Sequence, residues 1–203
     1  MQFNFIAKYY LTLSKLVHGA TLERAKTSLF CKIPTHANVL FIGGGTGTSL
    51  KTLVLLKPNV QVDYVEVSEQ MSMRARAQMN FADGINFINL PIEEFKGEKY
   101  DVIITEFFFD LFTKEKIKQL IPHIMLKLNV GGCWIDTDFR PTTKLAQRML
   151  LKIMYLFFNL TVGLKTLSLV DVQKLYLTNS FTLTIEKKYK KGFVTSRLLT
   201  RKA

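Results

Sequence analysis

Cysteine, histidine and acid are all scarce in this chain, and each scarcity removes a class of chemistry. Among 203 residues there are two cysteines, Cys31 and Cys133, both in apolar contexts. That argues against a disulfide framework and for a reducing compartment. Three scattered histidines, His18, His36 and His123, offer no metal-ligand spacing, so no metal site is expected. Asp and Glu number 16 against 28 Lys and Arg, a formal charge of +12. Such an excess favours contact with nucleic acid, anionic lipid or an anionic substrate, although a plain solubility role would produce the same balance. A long apolar run is missing too. The most apolar stretch, residues 149–164, is interrupted by Lys152 and Asn159 and falls short of the roughly 20 residues that span a bilayer. No basic leader precedes the first apolar residues, and Lys8 breaks the run, so no cleaved signal is expected.

What is present is a core. Hydrophobic residues make up 48% of the chain, enough for one globular domain, and no repeat or low-complexity linker divides it. Residues 3–32 read as one or two helices, from Ile6, Tyr9, Tyr10, Leu13, Leu16 and Val17 at helical spacing, with Pro34 closing the cap. Strands and helices then alternate. Strands are expected at 39–42, 60–67, 85–88, 100–105 and 133–138, with helices at 48–56, 69–81 and 114–128. This alternation predicts a mostly parallel sheet covered on both faces. A largely helical insertion follows over 140–164, then a short helix near 171–177. Residues 181–189 and 193–199 form a terminal hairpin across Lys190-Lys191-Gly192, which sets one strand antiparallel. The expected organisation is a single domain, 1–203: a helical cap (1–35), a cofactor-binding core (36–139), an insertion or lid (140–180) and the hairpin (181–203).

The richest stretch is Asn38-Val-Leu-Phe-Ile-Gly-Gly-Gly-Thr-Gly-Thr-Ser-Leu50, a strand emptying into a glycine turn and a helix start. Glycine accepts φ > 0 and carries no Cβ, so a ligand can approach the bare backbone beside the open N–H groups of the helix. Glu66 stands 19 positions beyond Gly47, at the end of the second strand, where an acid can accept hydrogen bonds from both ribose hydroxyls. A dinucleotide fingerprint counted from Gly43 needs glycine at 48, which is Thr48, and no Gly-Lys-Ser/Thr follows as a phosphate loop requires.

With Val65-Glu-Val-Ser-Glu-Gln-Met71 and the terminal hairpin, the chain resembles the class I S-adenosylmethionine-dependent methyltransferases, motif by motif over roughly residues 36–139. The resemblance implies an α/β fold, a doubly wound, mostly parallel seven-stranded sheet of Rossmann-like methyltransferase type, with an antiparallel carboxy-terminal strand and an amino-terminal helical lid. It implies S-adenosyl-L-methionine as co-substrate. Gly43, Gly44, Gly45 and Gly47 would form the turn under its methionine part, Glu66 the ribose ligand, and Val67 and Met71 the adenine walls. The acid that the family carries after the third strand is Pro91 here, which leaves adenine to backbone near Ile92 or to Glu93. Phe41 stands where many relatives carry a first-strand acid. Leu128-Asn-Val-Gly-Gly-Cys-Trp-Ile-Asp136 resembles the family's turn into its fifth strand. The segment from Ile6 to Gly19 is similar to the lid of the quinone-methyltransferase-like branch, which gives Tyr10 a cofactor or substrate contact.

By the same resemblance, residues 100–112 correspond to the fourth strand and the loop that would face the transferred methyl. Glu106 and Asp110 are its ionisable groups, expected to be either bases or, more plainly, a solvated acid and a helix cap; Glu106 also counts as a cofactor contact. Phe107, Phe108, Phe109 and Phe112 would be core or pocket wall. The basic, apolar segment carrying Arg140, Lys144, Arg148, Lys152 and Lys165 reads as a lid with a solvated edge, or as a contact for lipid, partner or hydrophobic substrate. The expected function is methyl transfer to a small-molecule or lipid-like acceptor by a cytoplasmic enzyme with peripheral contact to anionic membrane, and nucleic acid is disfavoured as a partner. Two rivals stand beside it. A spermidine-synthase-like aminopropyltransferase shares the glycine loop and the glutamate, but lacks acids suited to a cationic amine here. A non-catalytic cofactor-binding module on RNA or membrane would share the whole cradle.

Overall fold

The computed structural model describes residues 20–79, 82–145, 147–149, 151–152, 155 and 169–202. Helix α1 (Ala20–Thr27) and a 3-10 turn (Phe30–Lys32) lead into β1 (Asn38–Ile42). Then come α2 (Thr48–Leu56), β2 (Gln61–Val65), α3 (Glu69–Gln78), β3 (Ile85–Ile88) and β4 (Tyr100–Glu106). Helix α4 (Lys114–Met125), β5 (Leu128–Phe139), α5 (Val172–Thr178), β6 (Phe181–Tyr189) and β7 (Val194–Arg201) complete the order.

The seven strands lie in the order β3-β2-β1-β4-β5-β7-β6. The first five are parallel, and β7 runs antiparallel to both β5 and β6. The doubly wound sheet with an antiparallel terminal strand, expected above, is the observed fold. Because β1 and β4 are neighbours although β2 and β3 intervene in sequence, the chain reverses direction across the sheet at their carboxyl ends. Such a junction opens a crevice for a ligand.

Two apolar layers sandwich the sheet. Val39, Phe41, Val62, Tyr64, Val102, Ile104 and Ile135 face α2 and α3, whereas Leu40, Ile42, Ile103, Trp134 and Leu199 face α4 and α5. The alternation along β1, β4 and β5 is the two-residue period of a strand buried on both faces. Trp134 is fully buried among Phe109, Tyr176 and Phe181, with ring centroids 5.2–5.9 Å away.

Some element bounds differ from expectation. β5 starts at Leu128, five residues early, because Leu128 already pairs with Tyr100 before the register jumps to Val102–Cys133; Gly131, at φ 75°, is part of that bulged start. Helix α4 ends earlier than expected for the same reason. Helix α3 stops at Gln78, and Asn80 and Phe81 lie outside the described residues. Cys31 is exposed, not packed in an apolar setting, since its 3-10 turn buries Phe30 instead. Tyr9, Tyr10 and the rest of 1–19 fall outside the described residues, as does most of 153–168; the described positions between 145 and 155 are helical.

Candidate active site

The end of β1 sets the site. Gly43 takes φ 65° and donates its N–H to the Val65 carbonyl at 2.8 Å, which pins the glycine turn to the end of β2. A Cβ at Gly43 would stand 2.8 Å from the Phe108 ring, and one at Gly47 only 2.9 Å from the Ala75 Cα. Gly47, at φ 80°, also caps α2 without a side-chain bond, so first-turn N–H groups remain open to a ligand. Gly45 differs: φ is 62°, yet an added Cβ would meet nothing within 4 Å. Bare backbone there borders open space.

Glu66 follows β2 and is 7% exposed. Its Oε2 accepts the Gly45 N–H at 3.0 Å and its Oε1 the Ser68 N–H at 2.9 Å. Burial raises its pKa, against the lowering pull of these two bonds. Each oxygen keeps a second lone pair, so the carboxylate is oriented without being saturated. Three side chains support it. Tyr64 donates to the Gly45 carbonyl at 3.0 Å, Gln78 to the Thr46 carbonyl at 2.6 Å, and Asn89 to the Glu66 carbonyl at 2.6 Å. None of the three was singled out from the sequence. Asn89 carried the only signal, a polar residue closing an apolar strand.

A cleft of about 240 Å³ opens beside this junction, lined by Gly43, Glu66 and Val67 on one side and by Pro91, Ile92 and Glu93 on another. Phe107, Phe108, Leu111 and Phe112 wall the rest. Val67 is 58% exposed, whereas Ile92 is buried and gives its carbonyl to His123 Nε2 at 3.2 Å. Glu93 pairs with Lys116 at 2.5 Å. Met71 is half-buried on the first turn of α3 and is not part of the lining. Phe109 turns into the core instead, 1% exposed. Phe107 sits at φ 47°, a left-handed backbone that an aromatic residue seldom adopts, held by its N–H bond to the Thr137 carbonyl at 2.7 Å.

The two acids of the fourth-strand loop are buried, which corrects their reading as a solvated group and a helix cap. Asp110 is 7% exposed, and α4 is capped by Thr113 instead. Burial pushes the Asp110 carboxyl up to about 8, with the Asp136 charge adding to the rise. Glu106 is raised to about 7, chiefly by burial. Its Oε2 accepts from Ser49 Oγ at 2.6 Å and lies 3.9 Å from Lys26 Nζ of α1. Neither acid lines the cleft. Behind Asp110 stands a buried network that sequence reading missed. Arg197 donates to Asp136 at 2.6 Å, Asp136 accepts from Thr105 at 3.0 Å, and Asp138 accepts the N–H groups of Phe109 and Phe139. Its signal was Asp136 and Asp138, two acids at alternate positions in a strand expected to be covered on both faces.

Residues 40–134 match a family model described as a methyltransferase domain. "Malonyl-[acyl-carrier protein] O-methyltransferase 2" of Ilyobacter polytropus is 28% identical over 116 residues, 57% of this chain and 44% of that protein. The chain thus spans less than half the length of this curated relative. Among solved structures, the magnesium protoporphyrin IX methyltransferase of Synechocystis with bound S-adenosylhomocysteine superposes with a TM-score of 0.70 at 16% identity, covering 94% of this chain and 86% of that one. An O-methyltransferase family protein from Burkholderia thailandensis gives 0.71 at 16% identity, with 94% and 57% covered. At such identity these structures speak for the fold alone. The domain match over residues 40–134, the curated relative and these folds together support a methyltransferase domain of the class I S-adenosylmethionine-dependent type.

Proposed function

We propose that this protein transfers the methyl group of S-adenosylmethionine to a small or hydrophobic acceptor whose nucleophilic atom needs no protein base. The observation that carries the reading is Glu66, held by Gly45 and Ser68 with a lone pair free on each oxygen at the mouth of an apolar cleft. The residues fit such a cofactor. The Gly45 backbone faces open space that a side chain would fill, Glu66 can accept from two ribose hydroxyls, and Val67, Pro91 and Glu93 offer a partly apolar seat for a base. Met71, on the first turn of α3, is a further candidate, and so, from the resemblance alone, is Tyr10. When bound, the cofactor supplies a methyl already activated on a sulfonium.

The chain's own task is then alignment and exclusion of water. Phe107, Phe108 and Phe112 wall the cleft with apolar surface that would exclude water from a bound acceptor. Glu106 and Asp110 stay behind this wall. We assign Glu106, with its Oε1 unpartnered among the described residues and its Oε2 on the α2 side, to the cofactor's end of the site. A carboxylate acceptor is ionised at neutral pH and needs no base, in line with the O-methyltransferase name of the curated relative. The same lining speaks against an aminopropyltransferase, since among the described residues the fourth-strand loop meets the cleft with Phe107, Phe108, Leu111 and Phe112 and with neither Glu106 nor Asp110 to hold a cationic amine.

Calorimetric titration with S-adenosylhomocysteine tests the reading. Wild type binds, and Glu66→Ala weakens binding by about tenfold to a hundredfold, one or two charge-assisted hydrogen bonds' worth. Equal affinity in the variant would sink the assignment. A folded protein that binds the cofactor but methylates no carboxylate, hydroxyl or amine acceptor offered would favour the non-catalytic module.

A further inference from the structure

A second hollow of about 240 Å³ lies outside the cleft, under the helical residues that follow β5. Arg148 and Lys152 stand at its rim, and Pro141, Leu151, Tyr155 and Leu169 form its apolar part. Positions 148, 151, 152 and 155 recur at helical spacing, so two cations and two buried apolar side chains share one stripe. Leu151 and Tyr155 are each 8% exposed, while Arg148 and Lys152 reach solvent.

The charges here are unanswered. No acid occurs anywhere from residue 140 to residue 169. Nearby cations have partners: Arg140 pairs with Glu186 at 3.1 Å, and Lys144 Nζ donates to the Lys191 carbonyl at 3.2 Å. Among the described residues, Arg148 and Lys152 side chains make no ion pair or hydrogen bond. Like charges four residues apart repel one another, and an anion between them would relieve that repulsion. The hollow also shares a wall with the cofactor cleft. Phe107 lines the cleft and stacks on Phe139 at 4.8 Å, and Phe139, Leu151, Tyr155 and Phe193 belong to one apolar cluster.

We infer that this hollow binds a discrete anionic amphiphile, its phosphate or carboxylate head between Arg148 and Lys152 and its chain over Leu151, Tyr155 and Leu169. A finite concavity with a paired-cation rim suits a single chain with a single head, whereas a bilayer would call for a broad convex face. That the ligand is the methyl acceptor, with its anionic end anchored away from the reacting atom, rests on the methyltransferase reading. The binding itself does not.

The test titrates the full chain with octyl phosphate below its micelle concentration, in parallel with inorganic phosphate and with S-adenosylhomocysteine. Saturable one-to-one binding of octyl phosphate is expected. The Arg148→Ala/Lys152→Ala variant should lose about tenfold or more in that affinity, Arg148→Lys should retain most of it, and inorganic phosphate should bind wild type at least about tenfold more weakly. Affinity for S-adenosylhomocysteine should be unchanged in the double variant, which shows that it is folded. Equal octyl phosphate affinity in wild type and double variant would overturn the proposal. So would phosphatidylglycerol vesicle sedimentation that the double variant abolishes in the absence of saturable octyl phosphate binding, since the surface would then serve a membrane. A wild type that binds octyl phosphate but not S-adenosylhomocysteine would leave the hollow standing and bring down the methyltransferase reading alone.

Discussion

Gly45 and Gly47 belong to one turn and have similar backbone angles, yet substitution should separate them. At Gly47 an added Cβ is driven into the Ala75 backbone, so Gly47→Ala forces α2 and α3 apart and adds strain at φ 80°. At Gly45 there is only the left-handed cost, about 1–2 kcal/mol, because the space is open. Gly45→Ala should therefore keep a cooperative thermal transition within a few degrees of wild type and still lose affinity for S-adenosylhomocysteine, while Gly47→Ala should lower the midpoint markedly. Scanning calorimetry beside a binding titration checks both; undiminished binding in Gly45→Ala would deny that the cofactor lies there. The turn was legible in sequence because glycines crowded at a strand end mark a backbone that must bend sharply and stay bare. Asn89, Gln78 and Tyr64, which hold the turn and Glu66 from after β3, from α3 and from β2, were not, because their bonds reach backbone 19 to 32 residues away in the chain and nothing local marks a carbonyl that needs a donor.

At the scale of elements, the pairing of β5 with β7 is more than a backbone ladder. Asp136 and Arg197 lie opposite each other in the register, and their side chains, each 1% exposed, meet at 2.6 Å. A buried ion pair adds little over a well-packed apolar pair, but removing one member strands the other. Arg197→Met should cost about 3–5 kcal/mol by that reasoning, read as a drop in the urea midpoint. Joining it to Asp136→Leu should return much of the loss, and a double variant no better than the single would show that the cost lies in packing. The positions of the strands and helices and the hairpin were readable from alternation and turn residues. The pair was not, since the sequence placed β7 in a terminal hairpin with β6 without saying that it would lie against β5.

For the molecule as a whole, buried acids set the response to pH. Asp110 carries its proton to about pH 8 when folded, against 3.8 for the free side chain, and Glu106 to about 7 against 4.5. The Asp136 charge adds to the rise at Asp110, Asp110 in turn raises Asp138 and Tyr155, and Arg197 pulls Asp136 and Asp138 back down. The folded chain thus holds protons that the unfolded chain has released between about pH 4 and pH 8, so stability falls as pH rises through that window. The melting temperature should be higher near pH 5 than near pH 8. Asp110→Asn, which removes the titration while keeping the shape, should flatten that slope and raise the pH 8 value by a few degrees; a lowered value at pH 8 would show that the ionised form is the stabilising one.

The sheet order also bears on how the chain is made. β7 fills the slot between β5 and β6, although it follows both in sequence. During synthesis, which proceeds from the amino terminus, β1 to β5 can assemble with α1 to α4 while the far edge of β5 waits. β6, an edge strand whose one strand partner is β7, cannot join the sheet until residues 194–201 have cleared the ribosome. For that interval β5 is an open edge carrying a buried-to-be Asp136 with no arginine. An edge strand with an uncompensated inward charge is poorly suited to pairing with a neighbouring nascent chain, so the same aspartate that later anchors β7 guards the vacant slot until it arrives.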